Sequence, residues 1–174
     1  MSSPDNQHTY ILQTERLKLR QFTLDDTDFI IDLLNSPGWL QYIGNRNVKT
    51  EEQAINYLKN GPIKSYNQNG FGLSMVVTND GNPIGMCGII KRANLEHPDI
   101  GFAFLPEHTG HGYAFEIAGA TLDYAKHHLN LSTVLAITLP ANTKSIRLLE
   151  KIGLRLIKSF RPQNENEDLL LYSN

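Results

Sequence analysis

Two glycines two apart, Gly110 and Gly112, stand where a run of strands gives way to a long helix, and this junction constrains the chain most. Asp99 to Leu105 reads as a strand and Pro106 to Gly112 as a loop. About four helical turns follow, with Ala114, Ile117, Ala118, Thr121, Leu122 and Ala125 on one face. Glycine lets the backbone turn tightly and approach a ligand without a Cβ in the way. The first N–H groups of a helix lack internal partners and point outward at the positive end of its dipole. Together these make a cradle suited to phosphate. No Gly-Lys-Ser/Thr follows, which excludes a P-loop. Phe115 stands where a dinucleotide fingerprint needs its third glycine, and four predicted strands precede the loop instead of one.

The remaining elements follow from periodicity and punctuation. Tyr10-Ile11-Leu12 is apolar, and Leu17 to Phe22 alternates like a half-buried strand. Thr23 caps a helix with Asp25 and Asp26 in its first turn, Phe29, Ile30, Leu33 and Leu34 at helical spacing, and Pro37-Gly38 as its stop. Thr50 to Gln53 is a capping box opening a second helix, which Gly61-Pro62 is expected to end. Phe71 to Thr78 and Pro83 to Lys91 form a hairpin about Asn79 to Asn82. After the long helix come an apolar strand, Val134 to Leu139, and a helix from Asn142 to Ile152 closed by Gly153. Strands near Leu154–Phe160 and Asp168–Tyr172 end the chain. The order predicts an α/β fold, a mixed sheet of about seven strands with helices on both faces.

With 174 residues, the chain is expected to form one domain over 1–174, with residues 1–8 frayed. Sixteen basic against 18 acidic side chains leave a net charge of −2, which argues against a nucleic-acid backbone as partner. Cys87 is the only cysteine. It cannot form an intramolecular disulfide, suits a reducing cytoplasm, and sits among apolar residues as a core side chain. Neither a signal peptide nor a membrane span is expected. His108 and His111 have no third ligand in the pattern, so no metal site is expected.

Several segments, taken in order, resemble the GNAT acetyltransferase superfamily and, within it, the Rim-type branch of N-terminal amine acetyltransferases. Thr14-Glu15-Arg16-Leu17-Lys18-Leu19-Arg20 with Asp25-Asp26 resembles its opening strand and helix. Asp99-Ile100-Gly101-Phe102 is similar to its central strand, and Gly110 to Glu116 to its pyrophosphate loop and following helix. Asn142 to Leu154 resembles its last helix and next strand. Three positions depart from the pattern. Glu107 and Thr109 replace a Gln or Arg and an aromatic or basic residue in the loop, and Leu149 stands where many members carry a tyrosine acid.

The resemblance implies a mostly antiparallel sheet with a splayed V between Asp99–Leu105 and Val134–Leu139. Acetyl-CoA would lie in the V, its pantetheine on backbone of Phe104 and Leu105 and on Asn142, which also suits an N-cap. The pyrophosphate would sit on the loop that begins at Thr109, held by amides of Gly110, His111, Gly112, Tyr113 and Ala114. Ser145 lies one turn past Asn142, near where the sulfur would be. Asp99 or Glu96 would take the amine's proton through water. The implied reaction is direct attack of an amine on the thioester. The acceptor is a protein or peptide N-terminus or a small metabolite, met by loops around Trp39–Gly44 and Gln163–Glu167. A monomer and a homodimer both remain open, as does a non-catalytic acyl-CoA sensor on the same fold.

Overall fold

A computed structural model describes residues 8–174; the frayed segment expected over 1–8 falls, save His8, outside the described residues. One eight-stranded sheet organises the chain. Its strands are β1 (Tyr10–Gln13), β2 (Leu17–Arg20), β3 (Leu73–Thr78), β4 (Pro83–Ile90), β5 (Asp99–Phe104), β6 (Leu135–Thr138), β7 (Arg155–Phe160) and β8 (Leu169–Ser173). They lie in the order β1-β2-β3-β4-β5-β6-β8-β7. The strand beyond the expected seven is β1, which turns back on β2 as a hairpin.

The helices are α1 (Thr27–Leu34), α2 (Pro37–Tyr42), α3 (Glu51–Leu58), α4 (Lys64–Asn69), α5 (Tyr113–His127) and α6 (Thr143–Lys151). Pro37-Gly38 ends α1 as expected but also opens α2, because Pro37 takes its first turn, where a missing N–H costs nothing. Gly61-Pro62 does not stop the second helix. Residues Lys59–Ile63 widen into a π-turn that absorbs the proline, and the chain continues into α4. The capping box expected at Thr50–Gln53 forms, and Thr23, expected as a cap, makes one with Asp26 on the short 3-10 turn that precedes α1.

The sheet buries both faces. On one, Leu17, Leu19, Ile84, Cys87 and Ile89 pack with Ile117, Ala118 and Ala125 of α5 and Leu149 of α6. On the other, Met75, Val77 and Met86 pack with Ile30, Leu33, Trp39, Ala54 and Leu58 from α1 to α3. Cys87 is fully buried beside Thr121, and burial pushes its thiol up to about 12, which removes it as a nucleophile at neutral pH.

β5 and β6 position the site. They run parallel and meet only at Asp99 and Leu135, where the Leu135 N–H donates to the Pro98 carbonyl at 2.9 Å. Beyond that point β6 pairs only with β8, so β5 and β6 open as a V.

Candidate active site

The V leads into a cleft of about 770 Å³. Asp99, Phe102, Asn142, Ser145 and Leu149 line it, joined by Trp39 to Gly44, Glu165 and Glu167 from the two segments expected to meet the acceptor. Glu96 is exposed and does not line the cleft, so the pairing of Asp99 with Glu96 as alternative bases reduces to Asp99.

Strand register decides which backbone groups face the V. In the β4–β5 pair, Gly85 is opposite Phe104 and the Leu105 N–H donates to Ile84 O at 3.0 Å. Antiparallel bonding alternates, so residues 99, 101, 103 and 105 spend their groups on β4 while Ile100, Phe102 and Phe104 turn theirs toward β6. Phe104 is therefore open toward the V. Leu105 is not: its N–H goes to Ile84 and its carbonyl accepts from His108 N at 3.0 Å. Phe102, not Leu105, shares the open side with Phe104, a register invisible without the β4 pairing.

At the other end of β5, Gly110 and Gly112 adopt φ +80° and +79°, the left-handed region that glycine enters freely. No Cβ clash requires them: one at Gly110 would meet nothing within 4 Å, and one at Gly112 only Arg16 Nη2 at 3.4 Å. Among the described residues, the N–H groups of Gly110 through Ala114 have no protein partner. Thr109 differs: its N–H and hydroxyl both donate to Pro106 O, at 3.2 and 2.8 Å. It closes the preceding turn and leaves its amide unavailable to a ligand.

The loop is held from outside by residues that the sequence reading did not assign. Arg16 Nη1 donates to His111 O at 3.0 Å, its Nε donates to Glu116 Oε2 at 2.7 Å, and its guanidinium lies 4.6 Å from the centre of the Tyr113 ring. The Thr14 hydroxyl and Arg16 N–H donate to Glu116 Oε1 at 2.6 and 2.9 Å. Burial raises the Glu116 carboxyl, but these bonds and the Arg16 charge outweigh it and hold it below its ordinary value. Arg16 and Glu116 are 100 residues apart, so no local spacing announces the pair.

Asp99 is 1% exposed and pairs with Arg92, whose Nε donates to its two oxygens at 3.0 and 3.2 Å. Burial pushes the carboxyl up, and Arg92 only partly reverses this. Asn142 accepts from Ser145 N at 3.3 Å through Oδ1, fulfilling its N-cap role; its amide nitrogen makes no protein hydrogen bond among the described residues. The Ser145 hydroxyl likewise takes no partner there. Leu149 is buried and apolar, so α6 supplies no acid at that position.

Residues 16–155 match the acetyltransferase (GNAT) domain family. The chain is 32% identical to the uncharacterized protein YkkB of Bacillus subtilis over 88% of its own length and 90% of the relative's. It is 28% identical to the uncharacterized N-acetyltransferase YoaA of the same organism, covering 88% and 89%. An acetyltransferase from Agrobacterium tumefaciens superposes with a TM-score of 0.80 at 29% identity over 95% of this chain and 94% of that one. RimL, a ribosomal L7/L12 alpha-N-protein acetyltransferase in complex with coenzyme A, shares the fold at 16% identity, with a TM-score of 0.80 and coverage of 95% and 97%. No helix among the described residues is long and apolar enough to cross a membrane. Partnerless loop amides at a helix start, a parallel pair that opens after one contact, and the match over residues 16–155 agree: this chain belongs to the GNAT acetyltransferase family.

Proposed function

We propose that the chain transfers the acetyl group of acetyl-CoA directly to a primary amine, on a protein or peptide N-terminus or on a small molecule. The observation that carries this reading is the single β5–β6 contact at Asp99 and Leu135. It leaves the backbone of Phe102 and Phe104 open beside a cleft that also holds Asn142 and Ser145. In GNAT enzymes the bound acetyl-CoA supplies the activated acyl group. The residues of this chain suit it: amides of Gly110, His111, Gly112, Tyr113 and Ala114 for the pyrophosphate, and Phe104 backbone with the Asn142 amide for the pantetheine.

The chemistry asked of the side chains is modest. An N–H on the β6 side of β5, at Phe102 or Phe104, stabilises the oxyanion as the amine attacks. Asp99 takes the amine's proton through a water molecule, and Ser145 donates toward the sulfur. A thiol with an ordinary pKa of about 8.5 leaves acceptably as thiolate, so Leu149 in place of a tyrosine does not block the reaction.

The acceptor follows from proton affinity. An α-amine with a pKa near 7.7–8.0 is neutral in on the order of one molecule in ten at pH 7, a lysine near 10.4 in about one in 2,500. The gap is about 3.5 kcal/mol at 1.36 kcal/mol per pKa unit. A site whose buried cleft-lining carboxylate, Asp99, is already paired with Arg92 suits the α-amine. The test is a peptide with one α-amine and one lysine, incubated with acetyl-CoA and mapped by mass spectrometry. Acetyl on the α-amine is expected; exclusive lysine modification refutes the preference, and CoA binding without thiol release from any amine supports a sensor instead.

A further inference from the structure

Trp39, Arg46 and Arg92 line the cleft and carry side-chain N–H groups with no acceptor among the described residues. Trp39 lines it and is 5% exposed, and its indole Nε1 is buried without a hydrogen-bond partner among the described residues. An indole N–H can only donate, and leaving one buried and unpaired costs stability. Arg92 lines the same cleft. Its Nε serves both oxygens of Asp99, so its two Nη groups, with four N–H bonds, have no partner among the described residues. Asp99 is 1% exposed and Arg92 37%, which makes the guanidinium the outer member of the pair. Arg46 adds a second guanidinium, exposed and without an ion-pair partner among the described residues. Tyr57 lines the same cleft, and its hydroxyl, pushed up by burial and pulled back by Arg46 and Arg92, remains a protonated donor at neutral pH.

We propose that the acceptor amine carries an anionic group, a carboxylate or a phosphate ester, received by Trp39, Arg46 and Arg92. The inference rests on the acetyl-transfer reading and narrows its acceptor. A guanidinium with both Nη groups free is a fork for two oxygens of such a group, and an indole N–H completes the set. Because Arg92 touches Asp99, an anion on its Nη groups places a nearby amine within reach of the water through which Asp99 acts. That is the spacing of an α-amino acid, or of a short amine with a phosphate at its far end. Glu165 and Glu167 reach the same cleft from the loop between β7 and β8. The acceptor therefore meets both signs of charge, as a molecule with an amine and an acid requires.

The test gives the protein acetyl-CoA and paired acceptors: free α-amino acids each against its own carboxamide, and phosphoethanolamine against ethanolamine. The expected result is a kcat/KM at least about tenfold higher for the anionic member of one pair, and which pair shows it identifies carboxylate or phosphate. This preference runs against basicity, since the carboxamide has the more readily neutralised amine. Arg46→Gln, on the exposed rim, and Trp39→Phe, which keeps an aromatic ring and removes the N–H, should each move the ratio toward one while leaving the KM for acetyl-CoA in place. Preference for the carboxamide, ethanolamine or a polyamine overturns the proposal, as does an unchanged ratio in both variants. Acetylation of no amine at all overturns the transferase reading and this inference with it.

Discussion

Arg16 Nε lies 2.7 Å from Glu116 Oε2, and the same guanidinium holds the His111 carbonyl at 3.0 Å. One arginine from the turn just before β2 thus ties the first turn of α5 to the glycine loop. With that carbonyl turned to Arg16, the loop amides stay free for an anion.

Arg16→Ala should therefore raise the KM for acetyl-CoA about three- to tenfold with kcat little changed, the modest size reflecting the 44% exposure of Arg16. Arg16→Lys keeps the charge and loses the two-point hold, so it should fall between. Acetyl-pantetheine, which lacks the pyrophosphate, is the control: its turnover should not respond to either change. An equal loss with both donors would mean that Arg16 acts on the fold at large.

Gly112→Val places a β-branched side chain at φ +79°, with its Cβ 3.4 Å from Arg16 Nη2. Strain of this kind is worth about 1–3 kcal/mol, enough to displace the loop. Titration calorimetry should show CoA affinity falling by about 5- to 150-fold, at 1.36 kcal/mol per decade. Unchanged affinity in a folded protein would remove the loop from the CoA site.

Ser145→Ala should lower kcat by up to about 100-fold, the low end for a general acid, because the thiolate leaves without strong assistance. The KM for acetyl-CoA should stay near the wild-type value, since the role proposed for Ser145 lies at the reacting end of the co-substrate. Wild-type turnover would leave Ser145 as a helix-surface hydroxyl whose N–H the Asn142 cap already serves.

The pH profile tests Asp99. Burial pushes its carboxyl above the ordinary value, and only the ionised form accepts a proton. Activity should thus fall as pH drops through this raised value, so the acid limb of kcat/KM should lie above the usual carboxylate limb near about 4. Asp99→Asn should abolish that limb and leave the one set by the amine. Stability has its own sign: a raised folded pKa means that the folded state binds this proton more tightly, so the charged carboxylate opposes folding at neutral pH and acidification relieves it. Glu116 has the opposite shift, and its stabilising contribution is lost as pH falls through its lowered value.

Local signals were sufficient wherever one segment determines its own conformation. The capping boxes at Thr50 and Thr23, the hairpin at Asn79 to Asn82, the helix after Gly112 and the cap at Asn142 all depend on neighbours a few residues away, and a sequence displays those directly. Such signals also misled where an alternative local geometry existed. Gly61-Pro62 reads as a stop, but a π-turn accommodates the proline and carries the chain into α4. The glycine loop was readable because glycine spacing and a helix start are both local properties.

The rest was decided by pairing across the fold. Whether Phe102 or Leu105 turns its backbone to the V depends on β4, since a register sum between strands appears in neither strand alone. Glu96 and Asp99 are both candidates in sequence, and only the entry of the chain into β5 buries one and exposes the other. Arg92 covers Asp99 across the turn between β4 and β5, Arg16 reaches Glu116 over 100 residues, and Trp39 brings an unpaired donor from the opposite layer. Most strands and helices, the glycine loop and the family resemblance were legible from residue order, because these rest on short-range spacing. Tertiary structure decided which charges meet in the cleft, because ion pairs and desolvation depend on distances that chain order does not encode.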